Sequence, residues 1–140
     1  MKRKASAVWN GDIRNGKGTI STDSGVLSQT PYSFSTRFED EQGTNPEELI
    51  AAAHSGCFSM ALSGQLDSAG FTSEKIQTTA VITLVKTEEG FTITAVHLSV
   101  SAKVPGIDHK TFQANANKAK VGCPVSRLLN AEITMDAKLE

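Results

Sequence analysis

Residues 45–70 constrain this chain more than any other stretch. Asn45 is a good helix N-cap, Pro46 suits the first helical position, and Glu47 and Glu48 complement the positive end of a helix dipole. Thr44 with Glu47, or Asn45 with Glu48, fits a capping box. Gly70 supplies a stop, so the sequence predicts one helix from about Pro46 to Ser68. Its middle is apolar on nearly every side, which is the mark of a central buried helix. Ala53, Gly56, Cys57, Ala61 and Gly64 also make it thin, so that another backbone can approach closely.

Strands flank this helix. Ala5, Ala7 and Trp9 alternate and predict a short first strand. Gly11, Gly16, Gly18 and Gly25 then punctuate a turn-rich stretch with a weak strand around Thr19-Ile20-Ser21. Tyr32, Phe34, Thr36 and Phe38 alternate again and predict a third strand, which Arg37 closes with its side chain opposite the two phenylalanines. Beyond the helix, Ile76, Thr78, Ala80, Ile82 and Leu84 share one face, and Thr87-Glu88-Glu89-Gly90 forms a hairpin turn. The apolar phase of the returning strand slips by one residue at Ala95-Val96, which predicts a bulge or a face switch. Asp108 caps a second helix to about Lys120, and Gly122-Cys123-Pro124 opens a short third one. A last strand alternates from Ala131 to Leu139. This order is α+β in one domain, residues 1–140, without repeats or linkers.

The composition narrows the function. Lys and Arg number 14 against 15 Asp and Glu, for a net charge of −1, and no long basic cluster follows Lys2-Arg3-Lys4. That gives no electrostatic reason to expect nucleic acid. No apolar run reaches the about 20 residues of a membrane span, and no signal-peptide pattern opens the chain, so the expected location is the cytoplasm. The glycine-rich stretch lacks the GK[ST] run of a phosphate loop. A G-x-S-x-G nucleophile elbow is absent too. Two cysteines, Cys57 and Cys123, make neither a disulfide scaffold nor a paired metal-ligand spacing, so no metal is expected.

Those cysteines are the candidates for chemistry. Cys57 lies on the small-residue face of the long helix. Cys123 stands at a predicted helix N-terminus, where free N–H groups and the dipole lower a thiol pKa. Local sequence physics therefore selects Cys123 as the more acidic thiol. His54, three residues before Cys57, reads either as a base or as a packed histidine. Arg37 and Glu47 read, in isolation, as an edge charge and a helix-terminal charge.

Longer motifs are more specific. Thr44-Asn45-Pro46-Glu47-Glu48-Leu49-Ile50-Ala51-Ala52-Ala53-His54, leading to Cys57-Phe58-Ser59-Met60-Ala61-Leu62, resembles the signature of the OsmC/Ohr superfamily, the osmotically inducible and organic hydroperoxide resistance proteins. The resemblance continues in Trp9-Asn10-Gly11-Asp12, Thr36-Arg37-Phe38-Glu39, Val104-Pro105-Gly106-Ile107-Asp108 and Val121-Gly122-Cys123-Pro124-Val125-Ser126. It covers essentially the whole chain and is nearer the OsmC branch.

The resemblance implies a thiol-dependent peroxidase with Cys57 as the peroxidatic cysteine and Cys123 as the resolving one. Arg37 and Glu47 match the charged pair that activates the thiolate. The implied fold is an intertwined homodimer, with long central helices wrapped by antiparallel β-sheets and active sites at the subunit interface. No bound cofactor is implied; the reductant is an external dithiol, such as the dihydrolipoyl groups of lipoylated proteins. The resemblance leaves the parts of His54 and Glu48 open. Two alternatives stand beside it: a redox sensor using the same cysteines without turnover, and a structural or small-ligand-binding domain.

Overall fold

The computed structural model describes all residues, Met1–Glu140. Six strands and four helices follow the order β1 (Ala5–Asn10), β2 (Lys17–Thr22), β3 (Thr30–Ser33), α1 (Phe34–Phe38), α2 (Pro46–Ser68), β4 (Lys75–Thr87), β5 (Gly90–Lys103), α3 (His109–Gly122), α4 (Pro124–Leu128) and β6 (Glu132–Leu139). The chain divides into two compact units, Met1–Leu49 and Ile50–Glu140.

In the first unit, β1, β2 and β3 form an antiparallel sheet in that order. The Tyr32 ring lies against Gly18, where a Cβ has no room. The third strand is shorter than its alternation predicts. Phe34, Thr36 and Phe38 belong to α1, because Ser33 and Thr36 build a capping box that turns the backbone. The Ser33 Oγ accepts from the Thr36 amide at 3.2 Å, and the Ser33 amide donates to Thr36 Oγ1 at 2.8 Å. Phe34 and Phe38 are then a helical i,i+4 pair with ring centroids 4.9 Å apart. Arg37 follows them onto the helix, with its guanidinium 5.2 Å from the Phe38 ring centre, rather than facing away from a strand.

The long helix has the predicted bounds. Asn45 caps it, its Oδ1 accepting from the Glu48 amide at 2.8 Å. The Glu48 carboxylate takes the hydroxyl of Thr44 at 3.4 Å. Gly70 ends the run with φ +86°. Within the single chain the helix is buried along one stripe, His54, Phe58, Leu62 and Leu66, each fully enclosed. The opposite face, with Ala53, Gly56, Met60 and Gly64, is exposed.

The second unit holds a sheet in the order β4-β5-β6. Strands β4 and β5 form an antiparallel hairpin closed across Thr87 and Gly90. Its register shifts where Thr83 faces Ala95 and Leu84 faces Ile93, which leaves Thr94 as the extra residue. The bulge thus falls one residue before the slip in the apolar pattern. Strand β6 runs parallel to β5, from Ala95 opposite Glu132 to Ala102 opposite Leu139. This corrects the expectation of purely antiparallel sheets. The chain between β5 and β6 carries α3 and α4, and a helical crossover returns the chain to the start of its neighbour, which a hairpin cannot do. Phe58, Leu62 and Leu66 of α2, Val96, Leu98 and Val100 of β5, and Phe112 and Ala116 of α3 form one core, which Cys123 joins.

Candidate functional site: a thiol pair and an arginine–glutamate pair

The four candidate residues form two pairs, one in each compact unit. In the second unit, α2 carries Cys57 and the junction of α3 and α4 carries Cys123. Cys123 ends one helix and precedes the next: its amide donates to Ala119 O at 2.9 Å, and Pro124 starts α4. The α3–α4 corner turns Cys123 inward, and its Sγ lies 2.7 Å from that of Cys57. A formed disulfide has S–S of about 2.03–2.05 Å, so the two free thiols need only a small approach to bond. Cys123 is completely buried, whereas Cys57 retains partial exposure. Only Cys57 is reachable from solvent.

Burial pushes the Cys57 thiol up from its ordinary pKa, and the hydrogen bond with Cys123 adds to this while Cys57 is the donor. If Cys123 donates instead, the same contact favours the Cys57 thiolate. The direction is nonetheless upward, because burial is the larger cause and acts whichever thiol donates. One influence opposes it: the backbone N–H of Val125, in the first turn of α4, bonds to Cys57. The short helix therefore offers an amide to Cys57, whereas local sequence physics predicts that benefit for Cys123.

In the first unit, Arg37 grips Glu47 in a fork. Arg37 Nη2 lies 2.6 Å from Glu47 Oε1, and Nε reaches the two carboxylate oxygens at 3.1 and 3.2 Å. The Glu47 side chain is only 15% exposed, so solvent screens this pair less than a surface one. The geometry fixes the guanidinium plane and leaves Nη1 free of Glu47. Beside it, Trp9, Ile13, Tyr32, Phe34 and Phe38 line a cleft of about 260 Å³. Alternation over Tyr32–Phe38 predicts a strand, so the sequence alone does not reveal these aromatic walls, which depend on α1.

Two further residues near the thiols form a third pair. His54 Nε2 and Ser126 Oγ are 2.7 Å apart and buried. Each lies three residues from a cysteine, a spacing visible in the sequence for His54 but not read for Ser126. Burial holds the His54 pKa below its ordinary value, so the ring is neutral. Glu48 is engaged only at the helix start. No group of three or more His, Cys, Asp or Glu side chains is arranged to hold a metal ion. No helix is long and apolar enough to cross a membrane.

Fold and site together define a mixed α+β, two-sheet protein with two thiols poised to pair. The family model for OsmC-like proteins matches residues 39–138. The chain is 59% identical over 140 residues to the peroxiredoxin OsmC of Escherichia coli strain K12, covering 100% of this chain and 98% of that protein. It is 32% identical over 125 residues to the organic hydroperoxide resistance protein OhrB of Bacillus subtilis strain 168, covering 88% of each. Among solved structures, an OsmC-like protein from Vibrio cholerae superposes with a TM-score of 0.76 at 18% identity, over 98% of this chain and 99% of that one. The crystal structure of OhrB of B. subtilis gives a TM-score of 0.68 at 23% identity, over 98% of each. This chain belongs to the OsmC family.

Proposed function

We propose that the protein is a two-cysteine peroxidase that reduces organic hydroperoxides, and hydrogen peroxide, at Cys57. The observation that carries this reading is the thiol pair itself, one sulfur reachable and the other buried 2.7 Å away. The names of its relatives, a peroxiredoxin and an organic hydroperoxide resistance protein, support the reaction class.

The Cys57 thiolate attacks one oxygen of the O–O bond. That bond breaks, Cys57 becomes a sulfenic acid, and the other oxygen leaves as an alkoxide that takes a proton to give the alcohol, or water from hydrogen peroxide. The Cys123 thiol then displaces the sulfenic hydroxyl, and the disulfide and a water form. An external dithiol, for which we propose dihydrolipoyl groups of lipoylated proteins, reduces the disulfide and restores both thiols.

Burial raises the Cys57 pKa, so the thiolate needs positive charge. We assign that task to Arg37, whose guanidinium stays charged and donates to the developing alkoxide. Glu47 holds the fork in plane. The aromatic cleft beside Arg37 suits the apolar part of an organic hydroperoxide. The exposed thin face of α2, with Met60 at 79%, supports a homodimer in which that face is covered.

The test is turnover. With excess dihydrolipoamide, the protein consumes many equivalents of cumene hydroperoxide. Consumption that stops after one equivalent identifies a redox sensor instead. A protein that forms no Cys57–Cys123 disulfide after one equivalent of peroxide, by mass spectrometry, contradicts the reading.

A further inference from the structure

His54 sits in the core with no exposed surface, yet its ring makes one hydrogen bond where it has two polar atoms. The second nitrogen, Nδ1, is buried without a partner. An unsatisfied buried polar atom costs about 1–3 kcal/mol. The neighbouring members of the same stripe, Phe58, Leu62 and Leu66, are apolar, so packing alone calls for another apolar side chain. What the imidazole does that a leucine cannot is reach Ser126, and Ser126 itself is only 8% exposed.

The two ends of this bond are informative. His54 lies on α2 one turn before Cys57, and Ser126 lies on α4 three residues after Cys123. The bond therefore joins the element bearing one thiol to the element adjoining the other. Beside it, the Val125 amide bonds to Cys57 and Val125 and Leu129 pack against the core, but no other side-chain hydrogen bond from another element reaches α4. It has five residues, and Cys123, its N-cap, makes no side-chain capping bond. The amides of Arg127 and Leu129 bond only within the local turn, to Cys123 O and Val125 O.

We infer that His54 is a positioning residue of the resolving step: through Ser126 it holds α4, and with it Cys123, against the helix that carries Cys57. The inference rests on the proposed two-cysteine reaction. In that step the S–O bond of the Cys57 sulfenic acid breaks and the S–S bond forms. The Cys123 sulfur is oxidised, the Cys57 sulfur is reduced, and the thiol proton leaves with the hydroxyl as water. His54 neither takes nor gives a proton; it keeps the attacking sulfur on line.

The experiment separates the two steps in a single turnover. The full-length protein receives one equivalent of cumene hydroperoxide, and peroxide loss and disulfide formation are followed separately, with dimedone trapping of the Cys57 sulfenic acid. In Ser126→Ala and His54→Ala, disulfide formation slows about tenfold, the kinetic equivalent of one lost hydrogen bond, while peroxide loss slows less. Dimedone labelling of Cys57 rises in proportion. Ser126→Thr, which keeps the hydroxyl, restores disulfide formation, and the double variant is no slower than either single one. Ser126→Ala removes one oxygen, so it serves if His54→Ala does not fold. The inference is overturned if Ser126→Ala forms its disulfide at the unaltered protein's rate. It is also overturned if both steps slow equally, which marks a general structural role. Absence of a disulfide in the unaltered protein overturns the proposed reaction itself and is distinct from either result.

Discussion

At Cys57, burial holds the proton on, and one backbone amide draws it off. A reactive thiolate at neutral pH requires more than that amide, and Arg37 is the charge to which we assign the remainder. Replacing Arg37 with Ala should raise the Cys57 pKa and slow peroxide loss at neutral pH by about tenfold or more. Arg37→Lys rescues poorly, because an ammonium cannot reproduce the fork to Glu47. Thiol titration and single-turnover kinetics check both. His54 makes a prediction of a different kind. Its folded-state pKa lies below the ordinary 6.5, so the unfolded chain binds a proton that the folded chain refuses. Its contribution to stability is fully present above pH of about 6.5 and is lost as pH falls toward the folded-state value. Urea melts at several pH values should show the unaltered protein losing stability on acidification relative to His54→Gln. Equal slopes contradict this.

Among the elements, α1 depends most on a single residue. Five residues long, it stands on the Ser33–Thr36 box, and Ser33 Oγ also donates to Glu41 at 2.9 Å. Ser33→Ala costs about 1 kcal/mol of stability. Because α1 carries Arg37, the same change lowers peroxide reactivity; urea melts and the peroxide assay read the two effects. In α2, Leu62 packs in the core with no exposure, and Leu62→Ala costs about 2–5 kcal/mol. The elements also show where sequence reasoning reaches its limit. The bounds of α2 were legible because cap, first-turn proline and terminal glycine all act locally. The bulge near Ala95 was legible because a slip in a period-two pattern is local too. Strand direction in β6 was not, since alternation is the same in parallel and antiparallel strands. Nor was α1, because alternation over Tyr32–Phe38 outweighed a capping box of Ser and Thr without the usual Glu or Gln.

For the whole molecule, the exposed face of α2 makes the sharpest claim. A Cβ at Gly56 or Gly64 meets nothing within 4 Å in the chain. Gly56→Leu should therefore leave the chain folded while weakening the proposed homodimer. Sedimentation should report the dimer for the unaltered protein and a shift toward the 14.9 kDa monomer for the variant. An unchanged dimer with Gly56→Leu places its interface elsewhere. The candidate site was legible in part for a related reason. Cys57 and Cys123 stood out as the only cysteines, and the motif resemblance paired Arg37 with Glu47. Which thiol is reachable was not legible, because burial of Cys123 arises from the α3–α4 corner and not from its own neighbours in sequence.

The central claim is the division of labour between the two thiols. Single-turnover consumption of cumene hydroperoxide by Cys57→Ser and Cys123→Ser tests it most directly. The account predicts that Cys123→Ser consumes one equivalent and accumulates a Cys57 sulfenic acid, while Cys57→Ser consumes none. Peroxide loss in Cys57→Ser, with none in Cys123→Ser, would reverse the assignment.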